Sequence, residues 1–245
     1  MLKELAEAHP RWGFDKMMTR IKKLNCGWNH KRVYRIYCEL KLNLRKKPKK
    51  RIPKGKAVSL VQPIRPNICW SIDFMSDALT SGLKFRTFNV LDDYNREALD
   101  IEIGFSIPAE KVTLRLDIIA IARGYPEMIR VDNGPEFTSC WFKEWAEKRG
   151  ILLHHIQPGK PAQNGFIERF NRTYREDILD MYLFDNLDEV MRVTTSWIKF
   201  YNNDRPHESI NNQTPKDFAF ARAKSFVCAT TGAVKNTQQI LNYST

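Results

Sequence analysis

The spacing of apolar residues changes along the chain, and its first pattern is helical. One apolar series consists of Phe14, Met17, Met18, Ile21 and Leu24. Its spacing predicts an amphipathic helix. Asn25-Cys26-Gly27 supplies a turn, and Asn29 is placed to cap a second helix from residue 30 to about residue 40. The apolar stripe of that second helix consists of Val33, Ile36, Tyr37 and Leu40. Residues 1–44 are therefore predicted to form a small helical unit.

From about residue 64 the spacing changes to the alternation typical of β-strands. In 68–74 the alternation places Asp73 on the face opposite Trp70 and Ile72. Further strands are predicted at 85–91, 98–103, 128–131 and 151–156. Helices are predicted from Ser106 and Pro108 to Gly124, at 139–149, and from near Pro161 or Asn164 onward. Three strands followed by alternating helices and strands predict an α/β fold, with a mixed sheet flanked by helices.

Positive charge is concentrated at the N-terminal end of this 245-residue chain, whose net charge is +12. Residues 1–56 contain 18 Lys and Arg against 4 Asp and Glu, and the remainder is close to neutral. Such an excess predicts a polyanionic partner, most simply nucleic acid. On the second predicted helix, Lys31, Arg32 and Arg35 lie largely off the apolar stripe, as DNA-contacting residues of a helix-turn-helix do.

These patterns predict four regions: a helical DNA-binding module at 1–44, a basic linker at 45–63, an α/β core at 64–224 and a tail at 225–245. The linker either follows a phosphate backbone or is simply solvated. No segment approaches the roughly 20 apolar residues of a membrane helix, and no signal peptide is recognised, so a cytoplasmic protein is expected. Five widely spaced cysteines predict neither a disulfide framework nor a zinc site.

Three acidic residues occupy positions from which their carboxylates could converge. Asp73 lies in the first predicted strand, and Asp132 ends the fourth, before a Gly-Pro turn. Glu168 lies early in the next predicted helix, with 35 residues between it and Asp132. In-line cleavage of a phosphodiester uses two magnesium ions about 3.5–4 Å apart, and these ions prefer hard oxygen ligands. The three carboxylates are therefore candidate metal ligands.

Other acidic residues leave alternatives open, because the chain contains 28 Asp and Glu. Asp92, Asp93 and Asp100 are most simply interpreted as turn and surface residues. Glu136 is ambiguous, since it shares the turn that follows Asp132. Spacing alone does not decide which carboxylates act together.

The predicted helix of Glu168 also carries basic residues on or beside the face of this carboxylate. They are Arg169, Arg172 and Arg175. One interpretation is ordinary surface ion pairing between Glu168 and Arg172. The other is a metal-binding carboxylate flanked by arginines that contact phosphates. The loop 157–165 favours the second, because Lys160 and Asn164 place polar groups on a rigid Pro/Gly frame, as phosphate-positioning loops do.

Seven segments together resemble the catalytic protein of bacterial insertion-sequence transposases of the IS-three family. They are residues 9–13, 29–37, 70–74, 85–93, 132–137, 158–171 and 201–207. They include Trp70-Ser71-Ile72-Asp73-Phe74, Asp132-Asn133-Gly134-Pro135-Glu136-Phe137 and Tyr201-Asn202-Asn203-Asp204-Arg205-Pro206-His207. The resemblance implies a retroviral-integrase-type core with the ribonuclease H-like fold. It maps the catalytic DDE triad of the family onto Asp73, Asp132 and Glu168.

The resemblance also implies a reaction and its partners. A DDE-type transposase of this kind uses two Mg²⁺ ions, for which Mn²⁺ substitutes. Water hydrolyses a strand at the element's end, and the freed 3′-hydroxyl attacks a second phosphodiester. The implied partners are double-stranded DNA at the element ends and the target, further copies of the chain, and an upstream reading-frame product; the implied location is the bacterial cytosol. That product carries another helix-turn-helix and a coiled coil, neither of which this sequence shows, so recognition of the ends by this chain alone is left open.

Two other functions use parts of the same sequence. A non-catalytic DNA-binding regulator would depend on the basic N-terminal module, although it has no need of three convergent carboxylates. A ribonuclease H-like nuclease that only hydrolyses DNA would share the whole site. Cleavage and joining of DNA distinguish these functions from transposition.

Overall fold

A computed structural model describes residues 1–24, 26–44, 60–157 and 161–223, without the side chains of residues 161 and 162. Most of the predicted linker, Lys160 and the predicted tail at 225–245 lie outside these residues. The α-helices whose two ends are both described are α1 (Leu2–Ala8), α2 (Phe14–Lys23), α3 (His30–Glu39), α4 (Ala109–Arg123), α5 (Pro135–Thr138), α6 (Cys140–Lys148), α7 (Gly165–Tyr174) and α8 (Leu187–Asn203), and residues 215–223 are helical as well. The strands are β1 (Cys69–Ala78), β2 (Lys84–Asp92), β3 (Glu97–Gly104), β4 (Met128–Val131) and β5 (Leu152–His155).

Helices α1 to α3 form an N-terminal module around a small apolar core. The buried side chains of that core are Leu2, Trp12, Met17, Met18, Ile21, Val33 and Tyr37. The Asn29 side chain accepts a hydrogen bond from the Lys31 backbone N–H at 2.8 Å, so it caps α3 as predicted. Helix α1 was not predicted separately, since Leu2 is its only buried residue and gives no periodic signal.

The five strands form one mixed sheet in the order β3-β2-β1-β4-β5. The pairs β1/β2 and β2/β3 are antiparallel, whereas β1/β4 and β4/β5 are parallel. This arrangement confirms the predicted mixed sheet. Ser71 pairs with Arg130, so Asp73 and Asp132 each follow two residues later along parallel strands. The register therefore brings these two aspartates to neighbouring positions.

Helices cover both faces of the sheet, because each strand presents apolar side chains to both sides. One face packs on α4 and α6 through residues that include Trp70, Ile72 and Phe142. The other packs on α7 and α8 through residues that include Phe170 and Trp197. The result is a three-layer α/β core with an N-terminal helical module. No helix among the described residues is long and apolar enough to cross a membrane.

The interpretation of Asp92 and Asp93 as surface residues is wrong, although Asp93 does lie in the turn that follows β2. Both are fully buried. An Asp92 carboxylate oxygen lies 3.3 Å from Arg123, and one of Asp93 lies 2.5 Å from Arg130. Burial raises the pKa of both carboxyl groups, and the paired arginines oppose that effect. These two ion pairs connect the end of β2 to α4 and β4. The arginines are required because a buried charge needs a partner.

Asp100 is half-buried rather than on the surface. Its carboxylate accepts hydrogen bonds at 2.8 and 2.6 Å from Nε and Nη2 of Arg115 on α4. This bidentate pair connects β3 to the helix that covers it. This pair gives Asp100 a structural role on the face of β3 that α4 covers.

The N-terminal module packs directly on α8 of the core. The His9 ring stacks on Phe200 with 4.9 Å between ring centroids, and the Trp12 ring lies 6.0 Å from the same phenyl ring. Three basic residues of the module pair with core acids. These pairs are Arg11–Asp180 at 3.4 Å, Arg20–Asp204 at 2.5 Å and Lys23–Asp217 at 2.8 Å. Part of the module's positive charge is therefore used within the molecule.

The segment 201–207 that ends α8 holds several elements together. The Asn202 side chain accepts from the Ala98 N–H and donates to the Ala98 carbonyl, both at 2.9 Å, and so acts as a partner for the edge strand β3. Arg205 donates to Asp177 at 3.1 Å. Asp177 lies in a π-helical turn, Arg175–Leu179, that follows α7. The segment therefore has a structural role that its sequence did not reveal.

Candidate active site

Asp73 lies in the middle of β1 and is half-buried beneath α7. Its Oδ1 accepts from the Phe74 N–H at 2.9 Å, and its Oδ2 accepts from Asn171 Nδ2 at 2.8 Å. Burial, with added repulsion from Asp132 and Glu168, raises the pKa of Asp73 to about 6 despite these hydrogen bonds. The charges of Asp132 and Glu168, which lie on two other elements, therefore act on the Asp73 carboxyl group.

Asp132 directly follows β4, where the chain turns sharply into α5. Its Oδ1 accepts from the Gly134 N–H at 2.9 Å, which fixes the side chain beside its own backbone. Its main-chain oxygen lies 3.3 Å from Nδ1 of the half-buried His155 on β5, whereas His154 is exposed. A Cβ at Gly134 would lie only 3.0 Å from Asp132 Oδ1. Glycine is needed here because it leaves room for the carboxylate.

The close approach at Gly134 gives a prediction for catalysis. Gly134→Ala should displace the Asp132 carboxylate by a few tenths of an ångström and lower strand cleavage by about 10- to 100-fold. The added methyl group should change the melting temperature little, since the Gly134 backbone is not in the left-handed region. Gly13→Ala is the control, because its Cβ would meet nothing within 4 Å. Equal cleavage by both variants would contradict the assignment of Asp132.

Glu168 lies in the first turn of α7 and is exposed. The neighbouring Ile167 and Phe170 are buried against the sheet and fix the helix in place. Among the described residues, no ion pair joins Glu168 to Arg172, so the surface-pair interpretation finds no support there. The Glu168 carboxylate is close enough to Asp73 to raise its pKa, yet it remains accessible to solvent.

The chemistry of the three carboxylates suits a metal ion better than their spacing does. Within the described ranges, no three His, Cys, Asp or Glu side chains stand at the spacing needed to hold one ion. The donor set nevertheless fits a hard divalent cation, because all three groups are carboxylates and their mutual repulsion at Asp73 is what a cation relieves. The exposed Glu168 side chain has the freedom to move inward.

Asn171 is a site residue that sequence reasoning missed. Asn89 Nδ2 on β2 donates to Asn171 Oδ1 at 2.7 Å, and Asn171 Nδ2 then donates to Asp73 Oδ2 at 2.8 Å. Both amide orientations follow from this chain of bonds, which ends on an acceptor-only carboxylate. The available signal was position, because Asn171 lies three residues after Glu168 and so near it on α7.

Glu136, whose role the sequence left ambiguous, forms an ion pair with Arg86. Its Oε1 accepts from Arg86 at 2.5 Å, and the Arg86 guanidinium also lies 4.1 Å from the centre of the Phe74 ring. Glu136 is part of the site's border, since its Oε2 would lie 3.4 Å from a Cβ at Gly134. Its charge is neutralised by Arg86, which distinguishes it from Asp73.

The predicted phosphate-contacting residues of the core have different surroundings. Arg172 is exposed, and its side chain has no ion-pair partner among the described residues. Arg169 pairs with Glu208 at 3.3 Å, and Arg175 donates to the Ser76 carbonyl at 2.8 Å. The Asn164 side chain is buried, so it does not lie on a surface that faces DNA. Lys160 lies outside the described residues.

The predicted recognition helix, α3, presents its basic residues to solvent. Lys31, Arg32 and Arg35 are all exposed. Arg35 has a single weak contact, at 3.4 Å from Glu39 one turn later. The opposite side of α3 is buried through Val33 and Tyr37. The structure thus leaves one face of α3 both basic and accessible.

Comparisons with known proteins match this arrangement. Two models described as "Integrase core domain" match residues 63–161 and 149–215, and one described as "HTH-like domain" matches residues 2–51. A chain of the simian T-cell lymphotropic virus intasome shares the fold, with a TM-score of 0.52 and 17% identity. That match covers 79% of this chain and 67% of the viral one. The fold and the matched models define an integrase-core protein.

Two curated bacterial proteins are more similar in sequence. The chain is 38% identical over 218 residues to the uncharacterized 31.7 kDa protein of insertion element IS407 from Burkholderia multivorans, and it covers 79% of that protein. It is also 38% identical over 218 residues to the uncharacterized 39.2 kDa protein of insertion element IS476 from Xanthomonas euvesicatoria, of which it spans 63%. Both matches cover 89% of this chain. The chain belongs to the insertion-element transposase family with an HTH-like domain and an integrase core.

Proposed function

We propose that this chain is a DDE-type transposase that cleaves DNA strands and transfers the freed 3′-hydroxyl to a second phosphodiester. Asp73, Asp132 and Glu168 are its catalytic residues. The observation that carries the proposal is the placement of these three residues. The β1/β4 register brings Asp73 and Asp132 to neighbouring positions, and α7, which carries Glu168, contacts Asp73 through Asn171. The charges of Asp132 and Glu168 both act to raise the pKa of Asp73. A carboxyl group whose pKa is raised both by burial and by neighbouring acids is a feature of many functional sites.

The same carboxylates are proposed to hold two Mg²⁺ ions, with Mn²⁺ as a substitute. Bound divalent ions supply stabilisation of the attacking and leaving oxygens in an in-line displacement. Asn171 and the Phe74 N–H each hold one oxygen of Asp73, and the Gly134 N–H holds one oxygen of Asp132. Each of these oxygens has a second lone pair that could bind a metal ion. Glu168 completes the set from α7. Orientation of these groups is what the chain contributes to the reaction.

Double-stranded DNA, at the element ends and at the target, is the proposed substrate. Arg172 is the strongest candidate for a phosphate contact near the site, because it is exposed beside Glu168 without an ion-pair partner in the described part of the chain. Lys31, Arg32 and Arg35 would contact DNA from α3. Arg169, Arg175 and Lys160 are further candidates; Asn164 would support the loop instead.

The proposal extends to assembly and location. The DNA complex is proposed to contain further copies of the chain, with an upstream reading-frame product as a second partner. A bacterial cytosolic location, at the nucleoid when bound, follows from the proposed substrate. The four-region division at 1–44, 45–63, 64–224 and 225–245 remains part of the proposal.

The function is tested by incubating the full chain with labelled element-end DNA and Mg²⁺. Transposition predicts cleaved and joined products, resolved on a denaturing gel. Cleavage without joining would indicate a hydrolytic nuclease instead. DNA binding without cleavage would indicate a regulator, and either result would overturn the proposal.

Asp73 also gives a prediction for stability, because its pKa of about 6 lies above the ordinary value of 3.8. The ionised form then costs free energy in the folded state. This cost is absent below the ordinary pKa and fully present above the raised one. Asp73→Asn should therefore stabilise the metal-free protein by about 1–3 kcal/mol at a pH of about 8, and by little at a pH of about 4.

Urea unfolding at the two pH values measures this difference. Mg²⁺ should raise the melting temperature of the wild type more than that of the variant, because a ligand stabilises the state that binds it. Equal stabilisation by Asp73→Asn at both pH values would show that repulsion and burial do not act on this carboxyl group.

A further inference from the structure

A basic cavity lies at the junction of the N-terminal module and the core, and none of the three carboxylates lines it. Its volume is about 240 Å³, and α2, the start of α7, the end of α8 and the segment 205–209 enclose it. Four cationic side chains line it: Lys16, Arg96, Arg169 and Arg205. The one acidic residue among the described residues of the lining is Glu208. An excess of positive charge in a concave site raises the local concentration of anions.

Arg96 is the most informative of these residues. It is only 6% exposed, and its Nε and Nη1 are buried with no hydrogen-bond partner. The guanidinium lies 3.5 Å from the centre of the Phe166 ring, which holds its plane at the cavity wall. The nearby acids Asp92 and Asp93 are already paired with other arginines. A buried guanidinium with free N–H groups lacks the acceptor that its burial normally requires.

Lys16 on α2 adds a second cation without an anionic partner. It is half-buried, and no ion pair or hydrogen bond joins its ammonium group to a described residue. Burial, with repulsion from Arg205, lowers its pKa. Two nearby acids, Glu208 and Asp177, oppose this effect only in part. Glu208 pairs with Arg169 at the exposed rim, and Asp177 pairs with Arg205.

His207 does not add to the charge. Burial and the neighbouring Arg205 lower its pKa to about 3, so the ring is neutral near pH 7. Its Nε2 lies 3.4 Å from the Tyr201 carbonyl. The cavity therefore offers two unpaired cations, Lys16 and Arg96, against a neutral polar wall.

We propose that this cavity binds a phosphate group, and that a backbone phosphate of DNA is the ligand. Phosphate oxygens are acceptors that satisfy both the planar guanidinium of Arg96 and the ammonium of Lys16. DNA is the proposed source of this phosphate group, because Arg169, the residue after Glu168, lines the cavity, and because the cavity opens between the module and the core. The choice of DNA rests on the proposed function, whereas phosphate binding does not.

The phosphate site is tested first with inorganic phosphate and the full chain. At equal ionic strength, phosphate should raise the melting temperature above its value in chloride by about 2–4 °C. Lys16→Gln should abolish this increment, and it should also raise the melting temperature in chloride, because an unpaired cation has been removed. Lys143→Gln, on the exposed side of α6, is the control and should keep the increment.

Arg96→Gln should lose the increment as Lys16→Gln does, and if it does not fold, Lys16→Gln decides the question by itself. An equal increment in Lys16→Gln and Lys143→Gln, or none in the wild type, would overturn the proposal. Lys16→Gln is thus expected to raise the melting temperature in chloride and to abolish the increment that phosphate gives. A lysine with only a structural role would not produce these two effects together.

DNA binding by the same variants tests the source of the phosphate. Lys16→Gln should reduce the slope of log affinity against log salt by about 0.9, the contribution of one phosphate contact, and Lys143→Gln should leave it unchanged. An unchanged slope together with a lost phosphate increment would overturn DNA as the ligand. If the wild type fails to cleave DNA yet keeps the phosphate increment, the proposed function fails and the phosphate site stands.

Discussion

Asp73→Asn, Asp132→Asn or Glu168→Gln is expected to lower DNA strand cleavage by about three orders of magnitude or more. Each substitution removes one carboxylate from a set whose bound ions supply several kcal/mol of transition-state stabilisation. Asp132→Asn is the most informative of the three, because an amide at this position still accepts the Gly134 N–H and so keeps the local turn. Single-turnover cleavage of labelled DNA at saturating Mg²⁺ measures the loss.

DNA affinity should persist or increase in these three variants, since each removes negative charge that faces phosphates. Glu144→Gln is the matched control, because Glu144 is an exposed acid on α6, on the opposite face of the sheet. Cleavage by Asp132→Asn at the wild-type rate would assign the role to another acid, with Glu136 as the nearest one. Loss of DNA binding in all three variants would mean that folding, not chemistry, had failed.

Replacing Lys31, Arg32 and Arg35 together with alanine is expected to reduce the salt dependence of DNA binding strongly. If each contacts one phosphate, the slope of log affinity against log salt should fall by about 2.7. The structure favours this result because all three side chains are exposed on one face of α3. Fluorescence anisotropy with duplex DNA over a range of salt concentrations gives the slope.

Two other triple substitutions serve as controls for this experiment. Neutralising Lys46, Lys49 and Lys50 in the linker removes the same charge without changing α3, and it should cost less affinity if α3 enters a groove. Replacing Arg11, Arg20 and Lys23 removes pairs with core acids, and it should lower the melting temperature more than the DNA affinity. Equal affinity losses from the triple substitutions in α3 and in the linker would mean that the module only attracts DNA by its charge, without α3 entering a groove.

Local patterns predicted most of the elements, because the sheet and helices are built from regular apolar spacing. The alternation around Ile72 and the short strand before Asp132 correspond to β1 and β4. Asn29 and Gly124 marked a helix start and a helix end, where Asn29 accepts the capping N–H and Gly124 adopts a φ of +80°. These signals are local, so the sequence carries them without knowledge of the fold.

Residues whose roles depend on distant partners were not predictable in this way. Asp92 and Asp93 resemble a polar turn until Arg123 and Arg130 are seen beside them. Asn171 gave only the signal of its position three residues after Glu168, because its contact with Asp73 spans 98 positions of the chain. Asn202 likewise reaches Ala98 across 104 positions. Side-chain contacts of this kind exist only after the sheet and its helices have formed.

The geometry of α7 has a genetic consequence for copies of this gene. Glu168 and Asn171 act from one helix, so loss of a single codon between them would rotate one relative to the other by about 100°. A π-helical turn, Arg175–Leu179, follows α7, and there the Asp180 N–H donates to the Arg175 carbonyl at 2.8 Å. Such a turn contains one residue more than an α-helical turn. A one-codon deletion should therefore be tolerated there far better than between residues 168 and 171, which makes in-frame gaps in α7 a marker of copies that have lost activity.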